Sequence, residues 1–186
     1  NGSGKTTLTR QLLADRWLQG VTYLNPDQIA QDRFGGWNDP KAVIQAAQFV
    51  QRERETALAE KRSIAFETVF SAPDKLAFVL DALKAGYFVR LFYVMTASPT
   101  INAARVAQRV MEGGHEVPIG KIVKRFSASL ANAAAASRVV DRFYAFDNSI
   151  EGQAVRRIFR ARSGHLAKQY APPPHAVAQT LLDAFS

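Results

Sequence analysis

Asn1-Gly2-Ser3-Gly4-Lys5-Thr6-Thr7 opens the chain and runs straight into Leu8, Leu12 and Leu13, which are spaced for the buried side of a helix. Gly2 to Thr6 match the later part of the pattern G-x-x-x-x-G-K-[ST]. Each part of that pattern has a physical task. Glycines let the backbone curl so that successive N–H groups point at phosphate oxygens. Lys5 places a cation on the β- and γ-phosphates, and Thr6 offers a hydroxyl to Mg2+. The helix that begins there adds the positive end of its dipole. Gly2, Ser3, Gly4, Lys5, Thr6 and Thr7 are therefore the candidate nucleotide-binding residues, with Thr6 as the candidate metal ligand. The bland alternative is a glycine-rich helix start that holds no phosphate. The opening glycine of the pattern is missing. A complete chain is expected to carry an apolar strand upstream, central in the sheet.

Working outward, short apolar runs alternate with helical patterns. Val21–Leu24 is expected to be a strand that ends at Asn25-Pro26-Asp27, where Pro26 keeps Asn25 extended. Asp39-Pro40 starts a helix, with Asp39 as cap and Pro40 in the first turn. That helix should run to about Lys61 and bury Val43, Ile44, Ala47, Val50 and Leu58. Ser63–Phe66 is expected to be a strand ending at Glu67-Thr68. Ser71 with Asp74 resembles a capping pair for a helix stopping at Gly86. Phe88–Met95 is the clearest strand. Ser98-Pro99 opens a helix to about Glu112, Gly113-Gly114-His115 breaks it, and Pro118 opens another to about Arg138. Phe143–Phe146 is expected to be a strand ending at Asp147-Asn148. Residues 155–162 and 165–170 flank Ser163-Gly164 as a hairpin, and a last short helix follows Pro174. This order indicates an α/β fold: a phosphate-loop kinase-like three-layer α/β/α arrangement with a mainly parallel sheet, a helical lid and a C-terminal hairpin. Residues 1–186 are expected to form one domain, with the lid at about 99–138.

Composition narrows the chemistry. The chain has 186 residues, of which 47% are apolar and 22% charged. With no cysteine, disulfides, thiol catalysis and cysteine-ligated metals are excluded. Three scattered histidines (His115, His165 and His175) make a poor zinc site. There is no run of membrane-spanning length and no signal peptide, so the cytoplasm is the expected compartment. The net charge of +8 points to an anionic partner. It is concentrated in two places: residues 105–142 carry seven basic and three acidic side chains, and residues 155–170 carry five basic and no acidic ones.

A phosphate-loop protein that transfers the phosphoryl group to a hydroxyl needs a carboxylate on that hydroxyl and cations that neutralise the moving group. Asp27, at a strand end after a rigid turn, is placed for the first task; otherwise it caps the short helix at 28–31. Glu67 ends the next strand and can bind an acceptor hydroxyl, reach Mg2+ through water, or form a plain salt bridge. Arg105 and Arg109 lie one turn apart on a helix. With Asn102 they form a face opposite Val106, Ala107 and Val110. On the next helix Ile119, Ile122, Phe126 and Leu130 turn inward, leaving Lys121 and Arg125 on the other side. Two helices joined by glycines, with cationic inner faces, make a lid. His115 is read first as a hydrogen-bonding turn residue. The arginines at 156, 157, 160 and 162 make either a charged edge that blocks sheet pairing or a nucleic-acid surface. The edge is favoured, because only Phe159 and Tyr170 are on hand for stacking.

The sequence resembles the zeta toxin family of phosphate-loop kinases. The likeness runs through Asn1–Thr7, Tyr23–Ala30, Ala65–Ser71, Arg105–Val110, Gly113–Pro118, Lys121–Phe126 and Phe146–Ser149. Family members phosphorylate a hydroxyl of UDP-N-acetylglucosamine from ATP and Mg2+, and a small antitoxin protein can block the nucleotide site. The resemblance implies that Lys5 and Thr6 hold triphosphate and metal, and that Asp27 is the base. It implies that Arg109 and Arg125 contact the γ-phosphate, with Arg105 as a further nucleotide contact. Asn25, Asp27, Glu67, Thr68 and Ser71 then form the acceptor side. One departure concerns that side: the best-known branch follows its Glu67 equivalent with Gly-Thr and a nearby arginine. Here Thr68-Val69-Phe70-Ser71 follows, with no arginine before Arg90. The likeness is to the shorter chromosomal bacterial branch. Rival readings are a kinase of a nucleic-acid end or another metabolite, and a non-catalytic nucleotide-binding module.

Overall fold

The computed structural model describes residues 2–14, 20–36, 38–114 and 116–185, with the side chains of residues 12–14 left aside. The expectations for Asn1, the Leu12 and Leu13 side chains and His115 lie outside the described residues. The chain forms two compact units, one built from the segment ending at Leu8, Val69–Val106 and the segment from Val117, the other from Thr9–Thr68 and Ala107–Glu116.

The first unit is organised by a four-stranded sheet of β3 (Arg90–Met95), β4 (Arg142–Asp147), β5 (Arg156–Arg162) and β6 (His165–Gln169), in that order. β3 and β4 are parallel, and β4–β5 and β5–β6 are antiparallel. The period-2 alternation puts Leu91, Tyr93, Met95, Phe143, Ala145, Phe159 and Ala161 on one face. That face packs with α4 (Pro73–Lys84), α6 (Ile119–Ser137) and α7 (Ala176–Asp183) into the main core. Ring packing runs across it: Tyr93 to Phe143 at 6.4 Å, Phe143 to Phe159 at 6.0 Å, and Phe159 edge-on to Phe185 at 5.7 Å. The alanine run of α6 has a purpose here, since Ala133 and Ala136 are fully buried and let the helix sit close to the sheet. Burial pushes the Tyr93 hydroxyl up to about 12, an effect partly offset by its hydrogen bond with Ser129. A small satellite cluster of Val106, Val117, Ile122 and Ala103 joins α5 (Pro99–Met111) to the start of α6.

The second unit contains most of α1 (Lys5–Ala14), β1 (Thr22–Leu24), α2 (Pro26–Arg33), α3 (Pro40–Ala59) and β2 (Ile64–Phe66). β1 and β2 are parallel, with Tyr23 opposite Ala65 and Leu24 opposite Phe66. Asp39 caps α3 through its carboxylate on the Lys41 N–H at 2.9 Å, and Pro40 takes the first turn, as the Asp-Pro pair predicts.

The α/β class with parallel pairing is borne out; the antiparallel pairs come with the C-terminal hairpin. Several local expectations are corrected. α3 buries Ala42, Ala46, Val50, Arg54 and Ala57 and leaves Ile44 57% exposed. The buried stripe follows the small residues at i, i+4, which permit close approach, and not the bulkiest apolar side chains. Ser71 is not the cap of α4: Pro73 takes the first helical turn, so Ala72 becomes the cap residue, with no side-chain bond. Ile119 is 68% exposed, because Val117 and Ile122 fill the space it was expected to fill. On α5, Asn102 shares the buried face with Val106, whereas Ala107 and Val110 are exposed.

Truncating a side chain at the centre of the ring stack should be severe. Phe143→Ala is expected to lower the unfolding free energy by roughly 3–5 kcal/mol, measured by urea denaturation, whereas Ile44→Ala should change it by less than about 0.5 kcal/mol.

Candidate functional site

The phosphate loop sits where its glycines are needed. Gly2 and Gly4 have φ of +74° and +91°, the left-handed region that side chains avoid. A Cβ on Gly2 would lie 2.5 Å from the Asn102 carbonyl oxygen, so the loop passes directly over the backbone of α5. A Cβ on Gly4 would run into the Asn148 carboxamide. α1 starts at Lys5 immediately after the curl, and the Leu8 N–H closes the first turn on the Gly4 carbonyl at 3.1 Å. A helix start after such a curl suits an anion, because first-turn N–H groups have no intrahelical partner. Lys5 is half-buried, and Thr6 and Thr7 are exposed on that first turn. This cradle suits a polyphosphate, with an ammonium and a hydroxyl leaving from the helix start.

Asn148, just beyond β4, holds the loop in place. Its Nδ2 donates to the Ser3 carbonyl at 2.9 Å, its own N–H donates to the Met95 carbonyl at 2.9 Å, and its carbonyl accepts from the Arg105 guanidinium at 2.7 Å. Arg105 is thus a brace between α5 and the strand end, with other N–H groups left over. Asn102 is buried and accepts the Thr96 hydroxyl at 2.6 Å, so it supports the loop from below and does not look out of a lid face. Neither Thr96 nor the bracing role of Asn148 stands out from the sequence, because both depend on which strand ends become neighbours.

Asp147 is 5% exposed and is satisfied from several sides. Its Oδ1 accepts from the Ser149 N–H at 3.0 Å, the Ser149 hydroxyl at 2.5 Å and His175 Nε2 at 3.1 Å, and Arg156 lies 3.5 Å from Oδ2. His175 Nδ1 accepts the Ala178 N–H at 3.2 Å, which puts the ring proton on Nε2, toward the carboxylate. Burial pushes the Asp147 carboxyl up, but the hydrogen bonds from Ser149 and His175 together hold it below the ordinary carboxylate value. A shallow pocket beside it is lined by Asp147, Asn148, Ser149, Ile150, Gln153 and Arg156.

In the second unit, the strand ends carry the predicted acceptor residues. Asn25 caps α2 by accepting from the Asp27 and Gln28 N–H groups at 3.0 and 3.4 Å. Asp27 is therefore a first-turn residue and not the cap; its carboxylate is exposed and has no hydrogen bond among the described residues. The Tyr23 hydroxyl donates to Glu67 Oε1 at 2.5 Å and accepts from Asn25 Nδ2 at 3.3 Å. Burial, then the Glu67 hydrogen bond and charge, hold the Tyr23 hydroxyl far above its ordinary value, so it stays a donor. Tyr23 opposes Ala65 in the register, which puts Glu67, two residues on, along the same face. Tyr23 was legible only as part of a strand. Arg109 is exposed, as are Lys121 and Lys124; Arg125, Thr68 and Ser71 are half-buried.

The fold and the loop together define a phosphate-loop kinase-like protein. The zeta toxin family model matches residues 1–163, and the chain belongs to the zeta toxin family. No curated protein matches by sequence. Among solved structures, the chain is similar to one from the PezAT chromosomal toxin–antitoxin system of Streptococcus pneumoniae. The TM-score is 0.62 at 14% identity, over 100% of this chain and 74% of that one. Among the described residues no helix is long and apolar enough to cross a membrane.

Two outcomes follow. Gly2→Ala, strained in φ and blocked by the α5 backbone, should lower both thermal stability and ATP affinity by isothermal titration, whereas Gly120→Ala should lower neither, since a Cβ there meets open space. Asp147 has a lowered pKa, so its stabilisation is present above the unfolded value, about 3.9, and is lost as pH falls through the folded one. Asp147→Asn should therefore be destabilised at pH 7 and converge on the parent in acid, as read by denaturation midpoints from pH 7 to 2.

Proposed function

We propose that the protein is a small-molecule kinase that transfers the γ-phosphoryl group of ATP to a hydroxyl of a UDP-N-acetyl sugar. The observation that carries this reading is the braced phosphate loop at the start of α1, in a chain of the zeta toxin family. ATP would supply the phosphoryl group, and Mg2+ would draw charge from its β- and γ-oxygens.

The chain's own residues divide the work. The amides of Gly2 to Thr7 bind phosphate oxygens, Lys5 neutralises them, and the Thr6 hydroxyl takes a place on the metal. Arg105 keeps one N–H group on Asn148 and turns others toward the nucleotide. Arg109 and Arg125 stabilise charge on the moving group and help to exclude water. Asp27, exposed and unencumbered, accepts the proton of the attacking hydroxyl. Glu67, oriented by the Tyr23 donor, binds a further acceptor hydroxyl, and Asn25, Thr68 and Ser71 are further acceptor contacts. Residues 1–186 act as one kinase domain with the lid at about 99–138, in the cytoplasm. A small antitoxin covering the nucleotide site is the expected protein partner, as the toxin–antitoxin context of the similar structure suggests.

The test is incubation of the full-length protein with ATP, Mg2+ and a panel of UDP-sugars, followed by product mass. A gain of one phosphate should vanish in both Lys5→Ala and Asp27→Asn. Full activity in Asp27→Asn would remove it as the base, and tight ATP binding with no accepted hydroxyl would mark a non-catalytic module. Tyr23→Phe should weaken acceptor use by roughly 10-fold or more, the worth of a hydrogen bond to a charged group, through KM more than kcat.

A further inference from the structure

The second concentration of positive charge is left unused by that activity, and the sheet shows where it goes. Arg90 pairs with Arg142, Arg142 with Arg162, and Arg162 with His165. Residues directly opposite in a register share a face, so three arginines and a histidine cross the sheet in one row, with strands about 4.8 Å apart. The next row is Phe92, Tyr144, Arg160 and Lys168, and the one after it includes Val94, Phe146 and Arg157. All of these lie on the face opposite the α4–α6–α7 core; Val94, Tyr144 and Phe146 are buried there as well, whereas Arg90, Arg157, Arg160, Arg162 and Lys168 are exposed. Arg156 is separate, being paired with Asp147.

Like charges directly opposite one another are unfavourable. Arg142, Arg160, Arg162 and Lys168 make no ion pair with any described residue. The neighbouring Asp141 carboxylate instead accepts the Val89 N–H at 2.8 Å. An edge that merely blocked strand pairing would need charge on β6 alone, whereas this row begins on interior β4 and extends to β3.

Aromatic rings lie among the cations. Arg90 and Arg142 sit 4.9 and 5.3 Å from the Phe88 ring, which is 54% exposed. Arg157 and Lys168 sit 5.1 and 5.0 Å from the Tyr170 ring, which is 39% exposed. Phe159, a stacking candidate by sequence, is fully buried in the core, but Phe88 replaces it.

We infer that this face of the β3–β6 sheet binds a single-stranded polynucleotide, with phosphates on the arginine rows and bases on Phe88 and Tyr170. The charge alone would suit any polyanion. Exposed rings beside arginines favour nucleic acid over an acidic peptide, and unpaired bases over a duplex, whose ring faces are already stacked. The exposed rings each lie about 5 Å from two cationic groups, an arrangement that suits a stacked base better than an acyl chain. It lies apart from the phosphate loop's duties, so its test is independent of the kinase reading.

The full-length protein is titrated into fluorescein-labelled oligo-U and oligo-dT of 12 nucleotides and followed by anisotropy between 50 and 300 mM salt. Binding should weaken with a log–log slope of about −2 to −3, as for three or four phosphate contacts on a single strand. Arg160→Glu/Arg162→Glu should weaken it roughly 10-fold or more while raising the melting temperature, because the arginine row then contains an opposite charge. Phe88→Ala/Tyr170→Ala should weaken oligonucleotide binding several-fold, by analogy with other stacking platforms, but leave inorganic polyphosphate binding unchanged. Lys5→Ala should bind the oligonucleotides normally. A preference for oligo-U or oligo-dT would identify the natural strand as RNA or DNA. Equal binding by the parent and the Arg160/Arg162 reversal would overturn the inference. So would a stronger response to poly-glutamate or to phosphatidylserine vesicles, or an aromatic double variant that binds both oligonucleotides as the parent does.

Discussion

The hydrogen bond from the Asn148 carboxamide to the Ser3 carbonyl is the constraint on which the candidate site depends. A phosphate loop is made of glycine-rich backbone that has little reason to hold one shape alone. Asn148 joins it to the end of β4, to β3 through the Met95 carbonyl, and to α5 through Arg105. From the other side the loop lies against the Asn102 backbone, so close that Gly2 can carry no Cβ. The loop is thereby held by the sheet and α5 as well as by its own backbone. A phosphate site built this way loses little entropy when it fills.

The β3–β6 sheet has two faces of opposite character. One is an apolar core with stacked rings and close-packed alanines. The other buries Val94, Tyr144 and Phe146 but also sets arginine opposite arginine across adjacent strands. Burial of several large side chains, each worth about 1.5–3 kcal/mol, outweighs the repulsion, since each opposed like pair costs at most about 1 kcal/mol. The unfavourable face is tolerated because the favourable one is so strong.

Legibility in the sequence followed the range of the forces involved. The Asp39-Pro40 start, the glycine-rich loop and the hairpin are set by residues within a few positions of each other, and they stand as expected. The stripe of α3 and the inward face of α5 were misjudged because a helix pattern gives hydrophobicity, not the space available. Ala42 and Ala46 win over Ile44 when a neighbour must come close. Asn102 turns inward because Thr96 supplies a buried hydroxyl. Tyr23 gained a role only when β1 and β2 came into register.

The sequence by itself determined that the protein has a phosphate loop, alternating strands and helices, and carboxylates at strand ends, because each rests on local backbone geometry or on period. Only the tertiary structure decided what braces that loop and which side chain orients Glu67. It also decided that arginines from three separate strands meet on one face. Arg90, Arg142 and Arg162 are far apart along the chain and adjacent only through strand pairing. Register is a property of the folded sheet, and no single segment contains it.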